Sequence, residues 1–322
     1  MPELTILTES ELRQCVVLND ALLDATARAF EAMATGNATA APAQRLWMPG
    51  GGSAIQARTA FMHGAAHYAV KIGPTGGGQG GSLLVYDADT NQLRAMLLDN
   101  GYLARVQAAA GAVASRKLAR ADAKTAAILG TSTHAYRHVE ALLLVRGIEK
   151  ILLCDKDSTA VDALKQRIES NSKVTVEVAG SIEDAVQSAD IVVTVTPSRS
   201  PVLRAEWLHP GLHITAAGAD AGNKNELAPE VLAEADIYVA DSREQCRWSG
   251  ELTHAIGAGL INEGDRIPEI GDLLSGYHPG RVEADEITVV DLTGTGVQDA
   301  AIAAHAVALA TAQGLGTKIS GD

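Results

Sequence analysis

The chain has few aromatic residues: two Phe, three Trp and six Tyr among 322. Its interior must therefore be filled by aliphatic side chains and alanine. Cysteine is scarce too. Cys15, Cys154 and Cys246 are isolated and odd in number. They suggest neither a disulfide framework nor a metal-ligand spacing, and a reducing cytoplasm is the expected setting. No apolar run reaches the ~18 residues that a membrane-spanning helix needs. The opening MPELTILTESEL lacks the basic and apolar regions of a signal peptide. Positive charge is also short, with 26 Lys and Arg against 39 Asp and Glu, a net −13. Nucleic acid is therefore not an expected partner, because it needs a basic footprint. A small anion is still possible, since a few local cations outweigh a distant acidic surface. The nine histidines stand at no metal spacing, and no G-x-S-x-G nucleophile motif occurs.

What is present centres on residues 125–155, TAAILGTSTHAYRHVEALLLVRGIEKILLCD. A short apolar run leads into a turn, Gly130-Thr131-Ser132-Thr133-His134-Ala135. A helix-period segment follows and ends at Gly147. A second apolar run stops at Asp155. Strand, turn, helix, strand and acid form the first half of a dinucleotide site. Backbone N–H groups at the helix N-terminus meet a pyrophosphate. An acid about 20 residues past the turn accepts the ribose hydroxyls, and Asp155 stands 20 positions after Ala135. Its charge would repel a 2′-phosphate, which points to NAD(H) rather than NADP(H). Ser132 replaces the middle glycine of the fingerprint. The competing reading is a βαβ unit without a ligand.

The length suits two domains. Residues 1–36 read as a short strand and two helices, the second capped by Asn19. Residues 40–98 change to alternating runs at 44–48, 53–62, 67–72, 82–86 and 93–98, as in an antiparallel sheet. The glycine-rich run 73–81 joins two of them, either as a lid or as a plain connection. Asp99 or Asn100 can cap an alanine-rich helix over 101–120. Beyond it, apolar strands at 126–129, 151–154, 174–178, 191–195, 213–216, 237–239 and 287–290 alternate with helical segments. That alternation predicts an α/β, doubly wound parallel sheet of Rossmann type. A helix over 297–312 returns to the first domain. The expected division is residues 1–122 with 300–322, an α+β domain, and residues 123–299, the nucleotide-binding domain.

Several stretches together resemble the ornithine cyclodeaminase/mu-crystallin family. They are Gln44-Arg45-Leu46, Ala69-Val70-Lys71, Leu103-Ala104-Arg105, Thr196-Pro197-Ser198, the run from Gly218-Ala219-Asp220 to Lys224-Asn225-Glu226-Leu227, Gly250-Glu251-Leu252, and Gly294-Thr295-Gly296-Val297-Gln298-Asp299. The resemblance implies a Rossmann domain beside a substrate and dimerisation domain built from both chain ends, a homodimer, and hydride transfer between nicotinamide and the Cα of an amino or imino acid. It implies that Arg45, Lys71 and Arg105 hold the substrate carboxylate, a task that suits fixed cations. It implies Asp220, just past a strand end, as the acid/base that protonates the substrate nitrogen, with Lys71 beside the chemistry. Cofactor contacts are expected from Ser82, Arg105, Gly130, Thr131, Ser132, Thr133, His134, Ala135, Asp155, Lys156, Thr196, Pro197, Ser198, Gly218, Asp220 and Lys224. Val106 departs from the threonine usual in the family. Glu226-Leu227 is expected to start the next helix.

Arg58 is the informative departure. Counting back 13 residues from Lys71, it falls where ornithine cyclodeaminases resemble one another in carrying a glutamate for the distal amino group. An arginine there inverts the preference toward an anionic side chain. The expected reaction is NADH-dependent reduction of a small dicarboxylic imine, iminosuccinate to L-aspartate first. The alternatives are an alanine-type dehydrogenase or ketimine reductase, a cyclodeaminase of another amino acid, and a nucleotide-binding carrier without turnover. If Arg58 instead points to solvent, the dicarboxylate preference has no basis.

Overall fold

The structure, a computed structural model, describes residues 3–48, 54–74, 81–106 and 108–320, with backbone alone at Arg105 and Val106. It divides into two compact units, Met1–Gln107 with Gly294–Asp322, and Ala108–Thr293. The boundaries expected at 122/123 and 299/300 therefore lie at 107/108 and 293/294. The alanine-rich helix Ala108–Leu118 accounts for the first shift. It packs on strands His213–Ala216 and Thr288–Asp291 and on helix Thr133–Val145, all in the second unit. Its small side chains let it lie close to the sheet, whereas the expectation had joined it to the antiparallel strands.

The first unit is built on an eight-stranded sheet. Its order is Thr317–Ile319, Leu4–Thr8, Leu93–Leu98, Ser82–Asp87, His67–Pro74, Ala54–Met62 and Ala38–Ala40, with Gln44–Trp47 also pairing to Ala54–Met62. Neighbours run antiparallel except Leu4–Thr8 beside Leu93–Leu98. Alternate residues share a face. On one face Leu7, Leu97, Leu83, Val85, Ala69 and Ala60 are buried. Helix Gly296–Gln313 lies on strands Ala54–Met62 and His67–Pro74 and against helix Asp20–Ala34. The latter starts where Asn19 accepts the Leu22 N–H. The strands Ala38–Ala40 and Thr317–Ile319 are too short to show alternation in sequence. Of the glycine-rich run, 75–80 lie outside the described residues. The expected helix 101–120 appears as Tyr102–Val106 and Ala108–Leu118 on either side of Gln107, which is also outside them.

The second unit carries a seven-stranded parallel sheet. Its order is Thr175–Val178, Lys150–Cys154, Thr125–Leu129, Ile191–Thr194, His213–Ala216, Thr288–Asp291 and Ile237–Ala240. Both faces are covered, so the central strands read as unbroken apolar runs. Ala127, Leu129, Val192 and Ile214 belong to one core and Ala126, Ile128, Ile151 and Val193 to the other. Strand order reverses between Thr125–Leu129 and Ile191–Thr194, and their carboxyl ends define the crevice where such sheets bind ligands. Two short parallel strands, Arg199–Leu203 and Asn225–Leu227, stand apart. Glu226-Leu227 is thus strand, not the start of a helix. The helix begins at Pro229, where proline's fixed φ suits a first turn. No helix among the described residues is long and apolar enough to cross a membrane.

Candidate active site

At the switch point, Gly130 has φ +105, and a Cβ there would stand 2.8 Å from the Val195 carbonyl oxygen. Only glycine fits. Helix Thr133–Val145 begins three residues later, so His134 and Ala135, expected in the turn, are helical. Ser132 caps that helix without a side-chain hydrogen bond. The first-turn N–H groups therefore lack that partner, which is the arrangement that suits a phosphate.

Asp155 follows strand Lys150–Cys154 and is tied to the turn. Its Oδ2 accepts the N–H and the hydroxyl of Thr131, each at 2.8 Å, and its Oδ1 accepts the Asp157 N–H at 3.1 Å. Partial burial pushes its carboxyl up, but the bonds from Asp157 and Thr131 outweigh this and hold it below the ordinary range. It is therefore ionised at neutral pH, the state that receives a ribose diol and rejects a 2′-phosphate. Lys156 beside it is exposed.

Two further loops leave the carboxyl edge of this sheet. Thr196, Pro197 and Ser198 follow Ile191–Thr194, and the Ser198 N–H donates to Thr196 Oγ1 at 3.2 Å. Gly218 follows His213–Ala216 and is buried. Asp220, two residues on, is exposed and pairs with Lys224 Nζ at 2.5 Å. His254 Nε2 lies 2.7 Å from the Lys224 carbonyl. That oxygen only accepts, so this ring nitrogen carries the proton. The loop bearing Asp220 is thus fixed at its far end.

Buried carboxylates that the sequence reading did not single out stand behind these loops. Glu226 accepts the Thr196 N–H at 2.5 Å, the Gly218 N–H at 2.7 Å and the Thr194 hydroxyl at 2.8 Å. Glu251 accepts the N–H groups of Glu226 and Leu227 and the side-chain amide of Asn225. Burial, with Asp291 and Glu226 nearby, pushes its carboxyl up to about 8. Asp291 accepts the Tyr238 hydroxyl at 2.9 Å, and burial beside Asp241 pushes it up to about 7.

In the first unit the apolar sheet face ends in cations. Arg58 and Lys71 are directly opposite on adjacent strands. Arg45 faces Gln56, two residues from Arg58, so all three share that face. Arg58 Nε meets Asp299 Oδ2 at 2.8 Å and Lys71 Nζ meets Asp299 Oδ1 at 3.2 Å. Arg58 Nη1 also donates to the Gly294 carbonyl at 2.7 Å. Their side chains are only 11% and 12% exposed, so Arg58 does not point to solvent. Two cations share one carboxylate, which leaves a net positive charge. Asp99 is buried near Lys71. Burial pushes its carboxyl up while Lys71 pulls it down, so its negative charge is disfavoured. Ser82 stands opposite Ile72, on the other sheet face from Lys71. Arg105 lies in helix Tyr102–Val106, and its side chain lies outside the described residues. Asp299 carries no role in the sequence reading; its sequence signals are its place in the family-like stretch Gly294–Asp299 and an acid in a helix first turn. Among the described residues no group of His, Cys, Asp and Glu could hold a metal ion.

The parallel sheet, glycine turn and following acid define a Rossmann-type α/β protein. The chain belongs to the ornithine cyclodeaminase/mu-crystallin family, whose model matches residues 83–310. An uncharacterised cyclodeaminase of Sinorhizobium fredii (strain NBRC 101917 / NGR234) is 42% identical over 313 residues, 94% of this chain and 95% of that one. An archaeal alanine dehydrogenase, solved as a dimer with bound NAD, matches with a TM-score of 0.92 at 30% identity, covering 99% of both chains. The iminosuccinate reductase of Paracoccus denitrificans, solved with NAD+, matches with a TM-score of 0.89 at 27% identity, covering 99% of this chain and 100% of that one.

Proposed function

We propose that the chain is an NAD-dependent oxidoreductase that reduces a small imino acid to the amino acid, with iminosuccinate to L-aspartate as the favoured reaction. Family membership and the NAD-bound relatives support the class. The observation that carries the substrate is the net positive Arg58–Asp299–Lys71 cluster. Lys71, Arg45 and Arg105 hold the α-carboxylate, and Arg58 takes a second one. When bound, NADH supplies the hydride that becomes the Cα–H bond. The carboxyl of Asp220 supplies or relays the proton that leaves the substrate nitrogen as an amine, so imine, NADH and one proton give amine and NAD+. The Lys224 ammonium at 2.5 Å holds Asp220 in place. The turn Gly130–Ser132, helped by Thr133, His134 and Ala135 of the following helix, holds the pyrophosphate, and Asp155 the ribose. Thr196, Pro197, Ser198, Gly218 and Lys156 complete the cofactor contacts; Ser82, on the sheet face away from Lys71, is not among them.

Homodimerisation belongs to the same proposal. On the outer face of the first unit's sheet, Leu46, Ile55 and Ile72 are neighbours by register and 66%, 41% and 40% exposed, an apolar strip suited to a second copy. Sedimentation should show a dimer; a monomer at micromolar concentration would remove that part.

The test of function is NADH oxidation with oxaloacetate plus ammonium, beside pyruvate plus ammonium and pyruvate plus methylamine. The first mixture forms iminosuccinate, and turnover there should exceed both others. Turnover with pyruvate alone would keep the class and discard the second carboxylate. The name of the Sinorhizobium fredii relative favours a cyclodeaminase as second reading. Ammonia release from a diamino acid without net NADH loss would establish it.

A further inference from the structure

Glu226 is buried at the point where two ligand-facing loops begin. Its carboxylate joins three donors from two strand ends: the Thr194 hydroxyl, the Thr196 N–H and the Gly218 N–H, at 2.8, 2.5 and 2.7 Å. Thr196 opens one loop. Gly218 opens the other, which carries Asp220. The strands before them, Ile191–Thr194 and His213–Ala216, are parallel neighbours. The ladder between them ends at Thr194 and Ala216, and just beyond it Glu226 accepts from both chains.

The packing shows how closely this link is built. A Cβ at Gly218 would stand 2.5 Å from the Glu226 carboxyl and 2.4 Å from the Thr196 carbonyl oxygen. The two loops and the carboxylate therefore meet without room for a methyl group. Glu226 is itself fixed, because Glu251 accepts its backbone N–H at 2.8 Å and that of Leu227 at 3.1 Å. A buried carboxylate that unites two backbone amides at the ligand edge sets geometry that a neutral apolar core could not.

We propose that Glu226 is a positioning residue, which sets the Thr196 loop and the Asp220 loop in one register by accepting from both. This deepens the dinucleotide-dependent reading above and rests on it. Glu226 makes no contact with substrate in this role and transfers no proton. It acts through the placement of Thr196 and Gly218.

Glu226→Gln tests this with shape conserved. The amide offers one acceptor oxygen where the carboxylate offers two, so at least one of the two backbone N–H groups loses its partner. The readouts are the NADH dissociation constant from fluorescence titration, kcat and KM for imine reduction, thermal midpoint, and amide hydrogen exchange across the protein. The expected result is an NADH dissociation constant raised about tenfold, kcat lowered by a similar factor, and faster exchange confined to the segments holding Thr196 and Gly218. A fall in thermal midpoint with dissociation constant and kcat within about twofold of wild type would overturn the proposal, because a purely structural role predicts that pattern. If Glu226→Gln does not fold, Thr194→Val removes one of the three bonds. It should then move the dissociation constant and kcat together by about threefold; no change in either would overturn the proposal. Failure of the parent reading looks different. The wild type itself would bind no NADH and turn over no imine, and localised exchange at the two segments in the variant would still report whether Glu226 links the loops.

Discussion

Arg58 and Lys71 share one acid, and that arrangement fixes what each can offer a ligand. Asp299 takes Arg58 by Nε and Lys71 by Nζ, and the Gly294 carbonyl takes Arg58 Nη1, so the guanidinium is held at two of its three nitrogens. Truncation to alanine removes a charge-assisted contact worth roughly 1.5–3 kcal/mol to a buried carboxylate. For Arg58→Ala, kcat/KM for the dicarboxylic imine should fall about ten- to a hundredfold more than that for a monocarboxylic imine. Taking the ratio cancels general damage to the fold, including the loosened Asp299. An unchanged ratio would sink the second-carboxylate reading. Lys71 was legible in sequence because a charge at the end of an apolar strand stands out, and Arg58 by its place 13 residues before it in the family resemblance. Their acid was not. An aspartate in a helix first turn has an ordinary reason to be there, and its distance in sequence from Arg58 hides the pairing. Glu226 was hidden for a similar reason. In sequence Glu226-Leu227 reads as the start of the helix that begins only at Pro229, and the pairing of Asn225–Leu227 with Arg199–Leu203 makes it strand instead.

The parallel sheet was the most legible element because its strands are covered on both faces and read as apolar runs. Its short companions were not. Arg199–Leu203 contains Pro201, which argues against a central strand, and helices Arg243–Ser249 and Ile270–Leu274 are too brief for a clear period. The buried acids lie between and beside such elements, Glu251 two residues after Arg243–Ser249 and Glu226 on the strand paired to Arg199–Leu203. Glu251 faces Asp291 and Glu226, and Asp291 faces Asp241, Tyr238 and Cys246. Burial raises Glu251 from 4.5 to about 8 and Asp291 from 3.8 to about 7. The folded state therefore holds protons that the unfolded chain releases. For a raised carboxyl the stabilisation is complete below the unfolded value and is lost as pH rises through the folded one. Between pH 5 and 8 the second unit should lose stability, each unit of pKa difference counting for ~1.4 kcal/mol at most. The denaturation midpoint should be lower at pH 8.5 than at pH 6, and Glu251→Gln should flatten that slope. Equal midpoints at the two pH values in the wild type would show that these carboxyls are ionised throughout.

At the scale of the molecule, the two-unit division was visible as a change of pattern, from alternating runs to a strand–helix rhythm. Its boundary was not, because an alanine-rich helix carries no mark of which sheet it packs on. The division also locates the effect of a nucleotide. The residues proposed for pyrophosphate and ribose, Gly130–Ser132 and Asp155, all lie in Ala108–Thr293. A ligand that binds only the native state stabilises by RT ln(1 + [L]/Kd), ~2.7 kcal/mol at a hundredfold excess over Kd. NADH at that excess should raise the thermal midpoint by a few degrees and slow proteolysis first in residues 108–293. NADPH at the same concentration should do so less, because the ionised Asp155 opposes a 2′-phosphate. Asp155→Ala removes that charge and the link to Thr131 together. It should shrink the NADH shift and bring the NADH and NADPH shifts closer. Thr131→Val gives the control, since it removes the hydroxyl bond to Asp155 but leaves the charge in place. It should weaken NADH binding while NADPH remains the poorer ligand. Equal shifts from both nucleotides in the wild type would mean that Asp155 does not face the ribose, and its bonds to Thr131 would then serve only to shape the turn.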